Sequence, residues 1–237
     1  MSVPTRLLVP ARDASYGRSG RPSRFSQIAH RDSDHAGVVM STWFTADLHF
    51  GHENIIRYCA RPFADVEAMN RALIEKWNAV VDHGDEVWVL GDVAMGRIVE
   101  TLPLVSELRG RKLPLTGNHD RCWDGHGRRA EGWEERYLDA GFVAIHHGQI
   151  EVEVGGGTAV ACHFPYRGDS RDHDRFVEQR PIDRGRWLLH GHVHERWRQH
   201  GRMINVGTDG WGYRPVSEAQ IGELVAEDPQ DRAPVTA

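Results

Sequence analysis

From Met40 onward, short apolar runs alternate with helical patterns. Before it, the stretch from Ser2 to Val38 mixes Pro, Gly, Ser, Arg and Asp with scattered apolar residues and follows neither a two-residue nor a 3.6-residue period. Such a segment buries too little surface to offset the entropy of ordering it, so residues 1–39 are expected to be a disordered tail. Thr42-Trp43-Phe44-Thr45-Ala46 and Val87-Trp88-Val89-Leu90 read as strands of β-prone residues. Between them Val66, Met69, Leu73 and Trp77 recur at three- and four-residue steps, which predicts a helix with one buried stripe; Asp65 is placed to cap it and Glu67 suits its first turn. Further strands are expected at 112–116, 142–146, 149–154, 159–162, 186–190 and 204–206, with Gly155-Gly156-Gly157 as a hairpin connection. Ile98, Leu102, Val105 and Leu108 predict a second helix, interrupted by Pro103, and residues 133–140 a third, stopped by Gly141. Helices early and a hairpin late imply an α/β core with mixed sheets. The main domain is expected over 40–220 and a C-terminal tail over 221–237.

Composition narrows the class. A chain of 237 residues holds one to two domains, and 40% hydrophobic with 27% charged residues excludes wholesale disorder, collagen and coiled coil. Cys59, Cys122 and Cys162 form no CxxC pair and leave an odd cysteine, which argues for a reducing compartment. No apolar run approaches the roughly 18 residues of a membrane span, so a cytoplasmic protein without a membrane partner is expected. Net charge is −5, yet residues 1–39 carry six Arg against Asp13, Asp32 and Asp34, so the main body is more acidic than the whole. An acidic body argues against extended nucleic-acid binding but permits a local phosphate pocket.

The candidate chemistry lies where the expected strands end. The first runs into Asp47-Leu48-His49, the second into Gly91-Asp92 and the third into Gly117-Asn118-His119-Asp120. The hairpin strand runs into His163, and the next into Gly191-His192-Val193-His194. Ligand sites of α/β folds gather beyond the carboxyl ends of strands, and carboxylate, imidazole and amide donors from five such ends suit hard or borderline divalent metals. In Asp-x-His and His-x-His, a spacing of two puts both side chains on one side of an extended backbone. Gly91, Gly117 and Gly191 fit tight turns beside the donors. Each piece alone has a plain reading as a turn or a core histidine; their order and strand context make them a constellation.

With its D-x-H, G-D, G-N-H-D, H and G-H-x-H elements in order from about Trp43 to Asp209, the chain resembles the calcineurin-like metallophosphoesterase superfamily. Phe50-Gly51-His52-Glu53-Asn54-Ile55-Ile56 and Asn205-Val206-Gly207 are similar to a compact bacterial and phage branch of it. The resemblance implies a four-layer α/β/β/α double β-sandwich with mixed sheets and two divalent ions, manganese, iron or zinc, at one edge. Asp47, His49 and His194 would hold one ion, Asn118, His163 and His192 the other, and Asp92 would bridge them. It further implies in-line attack on a phosphodiester or phosphomonoester by a hydroxide shared between the metals. His119 would stabilise the charge on the phosphoryl group or protonate the leaving oxygen, with Asp120 holding its other ring nitrogen. Val93-Ala94-Met95-Gly96 after the bridging aspartate departs from the serine/threonine phosphatases, and Met95 replaces the tyrosine of purple acid phosphatases and the histidine of double-strand-break nucleases.

Around this core, His52 is a candidate substrate contact. Arg167 is the candidate phosphate-pairing cation in the polar stretch 166–175, where Arg171 and Arg175 read as solvated charges. The expected partner is a small phosphorylated substrate. Two other readings stay open: a metal-dependent nuclease or RNA-processing phosphodiesterase, which needs a basic track the sequence does not display, and a non-catalytic scaffold, which predicts eroded ligands although all seven ligand positions and His119 are intact.

Overall fold

A computed structural model describes residues 40–227 and 229–233, so the expected N-terminal tail lies outside the described residues. The strands are β1 Thr42–Thr45, β2 Glu86–Val89, β3 Arg111–Pro114, β4 Gln149–Val154, β5 Gly157–Cys162, β6 Leu188–His190, β7 Gln199–Gly201, β8 Met203–Asn205, β9 Val216–Ser217 and β10 Gln230–Arg232. One sheet has the order β3-β2-β1-β9, its first three strands parallel and β9 antiparallel to β1. The other has the order β10-β7-β8-β6-β5-β4, parallel where β8, β6 and β5 meet and antiparallel elsewhere. The mixed α/β architecture expected from the sequence is the one observed.

Period-two alternation sorts each strand between two cores. Phe44, Ala46, Leu90 and Leu115 from the first sheet meet Val152, Val154, Ala159, Ala161, Leu189 and Ile204 from the second, forming the layer between the sheets. The other face of the first sheet, with Val87 and Val89, packs on helices. Chief among these is α2 Val66–Asn78, whose Met69, Leu73 and Trp77 are buried and whose first turn is capped by Asp65 accepting from Ala68 N at 2.7 Å. Before it comes α1 Glu53–Tyr58. The predicted second helix divides: α3 Ile98–Thr101 passes into a 3₁₀ turn over Leu102–Glu107, with Pro103 at the junction removing an amide donor. The third is α4 Trp133–Asp139, with Gly141 at φ 108° after it. The outer face of the second sheet, with Val160, Cys162, Leu188 and Met203, is covered by Trp123, Phe164 and Phe176 on 3₁₀ turns and loops.

Two expectations are corrected. Residues 221–226 complete α5 Glu218–Ala226 rather than opening a tail. Ile221 and Leu224 of this helix enter the inter-sheet core, and β10 then pairs with β7. The signal was readable, because Ser217 and Gln220 form a capping box. Segment 142–146 runs beside β3 and bonds it through Val143 N and His146 N, but it makes only isolated bridges and is not a strand. No helix among the described residues is long and apolar enough to cross a membrane.

Leu189 is fully buried between the sheets, so Leu189→Ala should lower unfolding free energy by about 2–5 kcal/mol. Urea denaturation checks this; a loss below about 1 kcal/mol would mean that the sheets do not pack there as described.

Candidate metal centre

The parallel strands of both sheets end at one edge. The chain leaves β1 into Asp47 and His49, β2 into Asp92, β5 into His163, and β6 into His192 and His194, while Asn118 and His119 follow β3 after a short bend. The loops after β1 and β2 stay joined by Asp47 N to Gly91 O and His49 N to Asp92 O, each 3.0 Å. The expected extended backbone is not what aligns the donors. Asp47, His49, Asp92, His192 and His194 have φ of 56°, 53°, 57°, 71° and 51°. This left-handed conformation is uncommon outside glycine and costs on the order of 1–3 kcal/mol per residue. Gly117 makes the close approach possible, since a Cβ there would lie 2.4 Å from Asp92 Oδ1.

Asp47, His49, Asp92 and His194 bring one donor atom each within 4.8 Å of one another. His49 Nε2 stands 3.9 Å from Asp47 Oδ1, 3.7 Å from Asp92 Oδ2 and 3.2 Å from His194 Nε2. Ligand bonds of about 2.0–2.1 Å around a tetrahedral ion separate the donors by about 3.4 Å, so the group has the spacing of a cation site. Asp92 Oδ2 is buried and has no hydrogen-bond partner. It also lies 3.5 Å from His163 Nε2, which is 3.2 Å from Asn118 Oδ1. One unpaired carboxylate oxygen therefore faces donors on two sides. His192 stacks edge-on against His163 with ring centroids 5.3 Å apart, and its Nε2 is directed to Asp169 Oδ2 at 2.9 Å.

In two of the histidines the other ring nitrogen has a partner that selects the donor face. His163 Nδ1 bonds Leu90 O at 2.8 Å, and His194 Nδ1 lies 3.3 Å from Cys59 Sγ, leaving Nε2 of each toward Asp92 or Asp47. Burial, with neighbouring imidazoles, pushes His49 well below the ordinary histidine range; burial also takes His194 to about 4. Both rings are therefore neutral and keep a lone pair for a metal. Burial, reinforced by the charges of Asp92 and Asp209, pushes the Asp47 carboxyl well above the usual carboxylate range against the pull of Arg61. For Asp92 burial acts the same way, but His163 and His119 outweigh it and hold the carboxyl low. Two buried carboxylates that repel one another beside the neutral imidazoles of His49 and His194 are a donor set that a divalent cation would satisfy.

Asp120 has another role than the one expected. Its carboxylate accepts from Asp92 N (2.9 Å), Val93 N (3.0 Å), Gly117 N (2.8 Å) and the Tyr137 hydroxyl (3.2 Å). Among the described residues it makes no bond to the His119 ring. With four donors already satisfying it, Asp120 clamps the loops after β2 and β3 together. His119 donates its backbone N–H to Asp92 Oδ1 at 2.8 Å, and its half-buried ring faces the cavity.

That cavity, about 530 Å³, is walled by His49, His52, His119 and His194, with Ser170, Arg171 and Arg175 on the facing loop. His52 is thus at the site, its ring 5.2 Å from that of His49 and its buried Nδ1 unpaired. Arg167 is not: it is exposed and does not line the cavity, whereas Arg171 and Arg175 do. The expectation is corrected because the loop turns at Gly168, φ 88°, whose Cα hydrogens lie against Trp197, so the residues beyond the turn reach the pocket.

Four contributors escaped the sequence reading. Arg61 is buried and forks onto Asp209 at 2.8 Å through both Nε and Nη2, while its Nη2 and Nη1 hold the carbonyls of Asp47 (2.8 Å) and Leu48 (3.1 Å). Asp209, soon after Asn205-Val206-Gly207, could have been noticed; Arg61 and Cys59 carry no local signal, since only the fold brings them under the centre. Asp169 was passed over as part of a charged loop.

The chain is 36% identical over 202 residues to the gene 66 protein of Mycobacterium phage L5, covering 79% of this chain and 95% of that protein. It is 34% identical over 199 residues to the gene 66 protein of Mycobacterium phage D29, covering 79% and 96%. The crystal structure of AQ665 from Aquifex aeolicus, a protein of unknown function, superposes with a TM-score of 0.59 at 24% identity over 78% of this chain and 99% of that one, a likeness of fold. No family model matches the chain.

Arg61→Leu leaves the Asp209 charge buried and unpaired and frees the Asp47–Leu48 carbonyls. It is expected to cost about 3–5 kcal/mol of stability and to weaken manganese binding about 10–100-fold. Denaturation and calorimetric titration read both; wild-type values in each would contradict the strap.

Proposed function

The chain belongs to the family of the gene 66 proteins of mycobacteriophages L5 and D29, and we propose from the residues of its own site that it is a metal-dependent hydrolase of phosphate esters of modest size. The observation that carries the reading is Asp92 Oδ2, buried, unpaired, and within 3.7 Å of His49 Nε2 and 3.5 Å of His163 Nε2. Asp47, His49 and His194 would hold one divalent ion, Asn118, His163 and His192 a second, with Asp92 between. Bound there, such ions supply Lewis acidity toward a phosphoryl oxygen and lower the pKa of water.

The chain's own groups account for the rest. His119 is fixed through its backbone by Asp92 and presents a half-exposed ring to the cavity, where it can deliver a proton to the leaving oxygen. Arg171 lines the same cavity and its guanidinium takes no partner among the described residues, which suits it to pair with phosphate oxygens. His52, which lines the same cavity, is a second contact for substrate. The elongated duplex track of a nuclease has no counterpart in these features, so a small phosphoester is the substrate class favoured.

The reading is tested with manganese-loaded protein on bis-p-nitrophenyl phosphate, p-nitrophenyl phosphate and a short oligonucleotide. Hydrolysis of at least one nitrophenyl ester should vanish on chelation, return with manganese, and fall about 100-fold or more in Asp92→Asn, the upper end for even an outer partner of a metal ligand. Turnover indifferent to chelation or to Asp92→Asn would overturn it, and cleavage of the oligonucleotide alone would replace the substrate class.

A further inference from the structure

The polar stretch between β5 and β6 holds a carboxylate that the expected metal ligands do not include. Asp169 is buried, 3% exposed, and its two oxygens are saturated with donors. Oδ1 accepts from Arg175 Nη2 at 2.7 Å, Arg175 Nε at 3.0 Å and Arg171 N at 3.2 Å. Oδ2 accepts from Arg175 N at 3.0 Å, Arg180 Nη2 at 3.3 Å and His192 Nε2 at 2.9 Å. Arg180 is itself buried and fixed to Gly168 O at 2.8 Å and Arg175 O at 2.9 Å. An ion pair needs none of this elaboration. A carboxylate that must hold one hydrogen-bond acceptor steady, without adding net negative charge beside the metal ligands, does need it, because Arg175 and Arg180 offset its charge even with Asp174 3.7 Å from Arg180 Nη1.

The acceptor acts on one ring nitrogen. A neutral imidazole that gives its Nε2 proton to Asp169 keeps its lone pair on Nδ1. The ring has little freedom to turn, being flanked by Phe164 and Phe176 at centroid distances of 5.1 and 5.6 Å and by His163 at 5.3 Å. Its backbone N–H is tied to Asp47 Oδ2 at 2.9 Å.

We propose that Asp169 is the positioning residue of His192: it fixes the Nε2–H tautomer and thereby assigns Nδ1 as the nitrogen that His192 offers a cation held with Asn118 and His163. This rests on the metal-centre reading above, though on cation binding alone and not on hydrolysis. Because Ser170, Arg171 and Arg175 line the cavity from the same loop, the wall facing the substrate and the tautomer of His192 are set by one knot of hydrogen bonds. Hydrogen-bonded partners of ligating histidines are worth roughly 10–100-fold in metal affinity.

Two measurements decide the matter without an activity assay. In wild-type protein with nitrogen-labelled histidine and loaded with magnetically active cadmium, multiple-bond NMR should show a protonated Nε2 on His192 and cadmium coupling to its Nδ1; coupling to Nε2, or none in a protein holding two equivalents, overturns the proposal. In Asp169→Asn, calorimetric titration with manganese should show one equivalent bound as in wild type and the other weakened about 10–100-fold, with Asp169→Glu recovering part of the loss. Two equivalents bound as in wild type, or both weakened alike, would refute a role directed at His192. Should Asp169→Asn fail to fold, the wild-type spectrum still decides. Hydrolysis absent with these metal results intact would remove the reaction and leave this inference standing.

Discussion

A carboxylate oxygen without a hydrogen bond, sealed from water between imidazoles of two sheets, is the constraint around which this molecule is arranged. Asp92 Oδ2 is such an atom, and burying a carboxylate oxygen without a hydrogen bond is costly. Among the described residues no lysine or arginine pairs with it. The neighbourhood supplies Asp47, whose own carboxyl is forced upward by the same burial and the same repulsion, and neutral histidines that offer lone pairs. Asp47, His49, Asp92 and His194 each turn an electron-pair donor to one space, a set that a cation would complete.

Keeping such a set together is work done by the backbone and by residues beneath it. Five of the seven proposed ligands sit at positive φ, strain that persists only where the surroundings over-determine it. Asp120 gathers three amides from the loops after β2 and β3, and Arg61 with Asp209 pins the two carbonyls that follow β1. Both are fully satisfied pairings placed beside the unsatisfied one. The rigid supports spend their hydrogen bonds inward so that the ligands can keep theirs open.

How much of this was legible in the sequence follows from the range of the interactions. Strands β1, β2, β4 and β5 and the stripe of α2 are written in local periodicity, and the ligands are marked by their position after strands and by adjacent glycines. The spacing of Asp-x-His suggests an extended backbone, but the chain is already left-handed at Asp47 and His49, a conformation that no local pattern announces. His119 with Asp120 looked like a catalytic pair because the residues are neighbours; in the fold Asp120 is drawn to amides of another loop. Arg167 was preferred over Arg171 and Arg175 because nothing local reveals the turn at Gly168. Arg61, Cys59 and Asp169 meet the centre only through tertiary structure, and a short sequence window contains no trace of that.

The most direct measurement is anomalous diffraction from crystals grown with manganese. The account requires two peaks, one bounded by Asp47, His49 and His194 and one by Asn118, His163 and His192, with Asp92 Oδ2 in contact with both. No peak at this edge, or a single ion with Asp92 turned away from it, would contradict the claim that an unpaired carboxylate is kept there to be shared between cations.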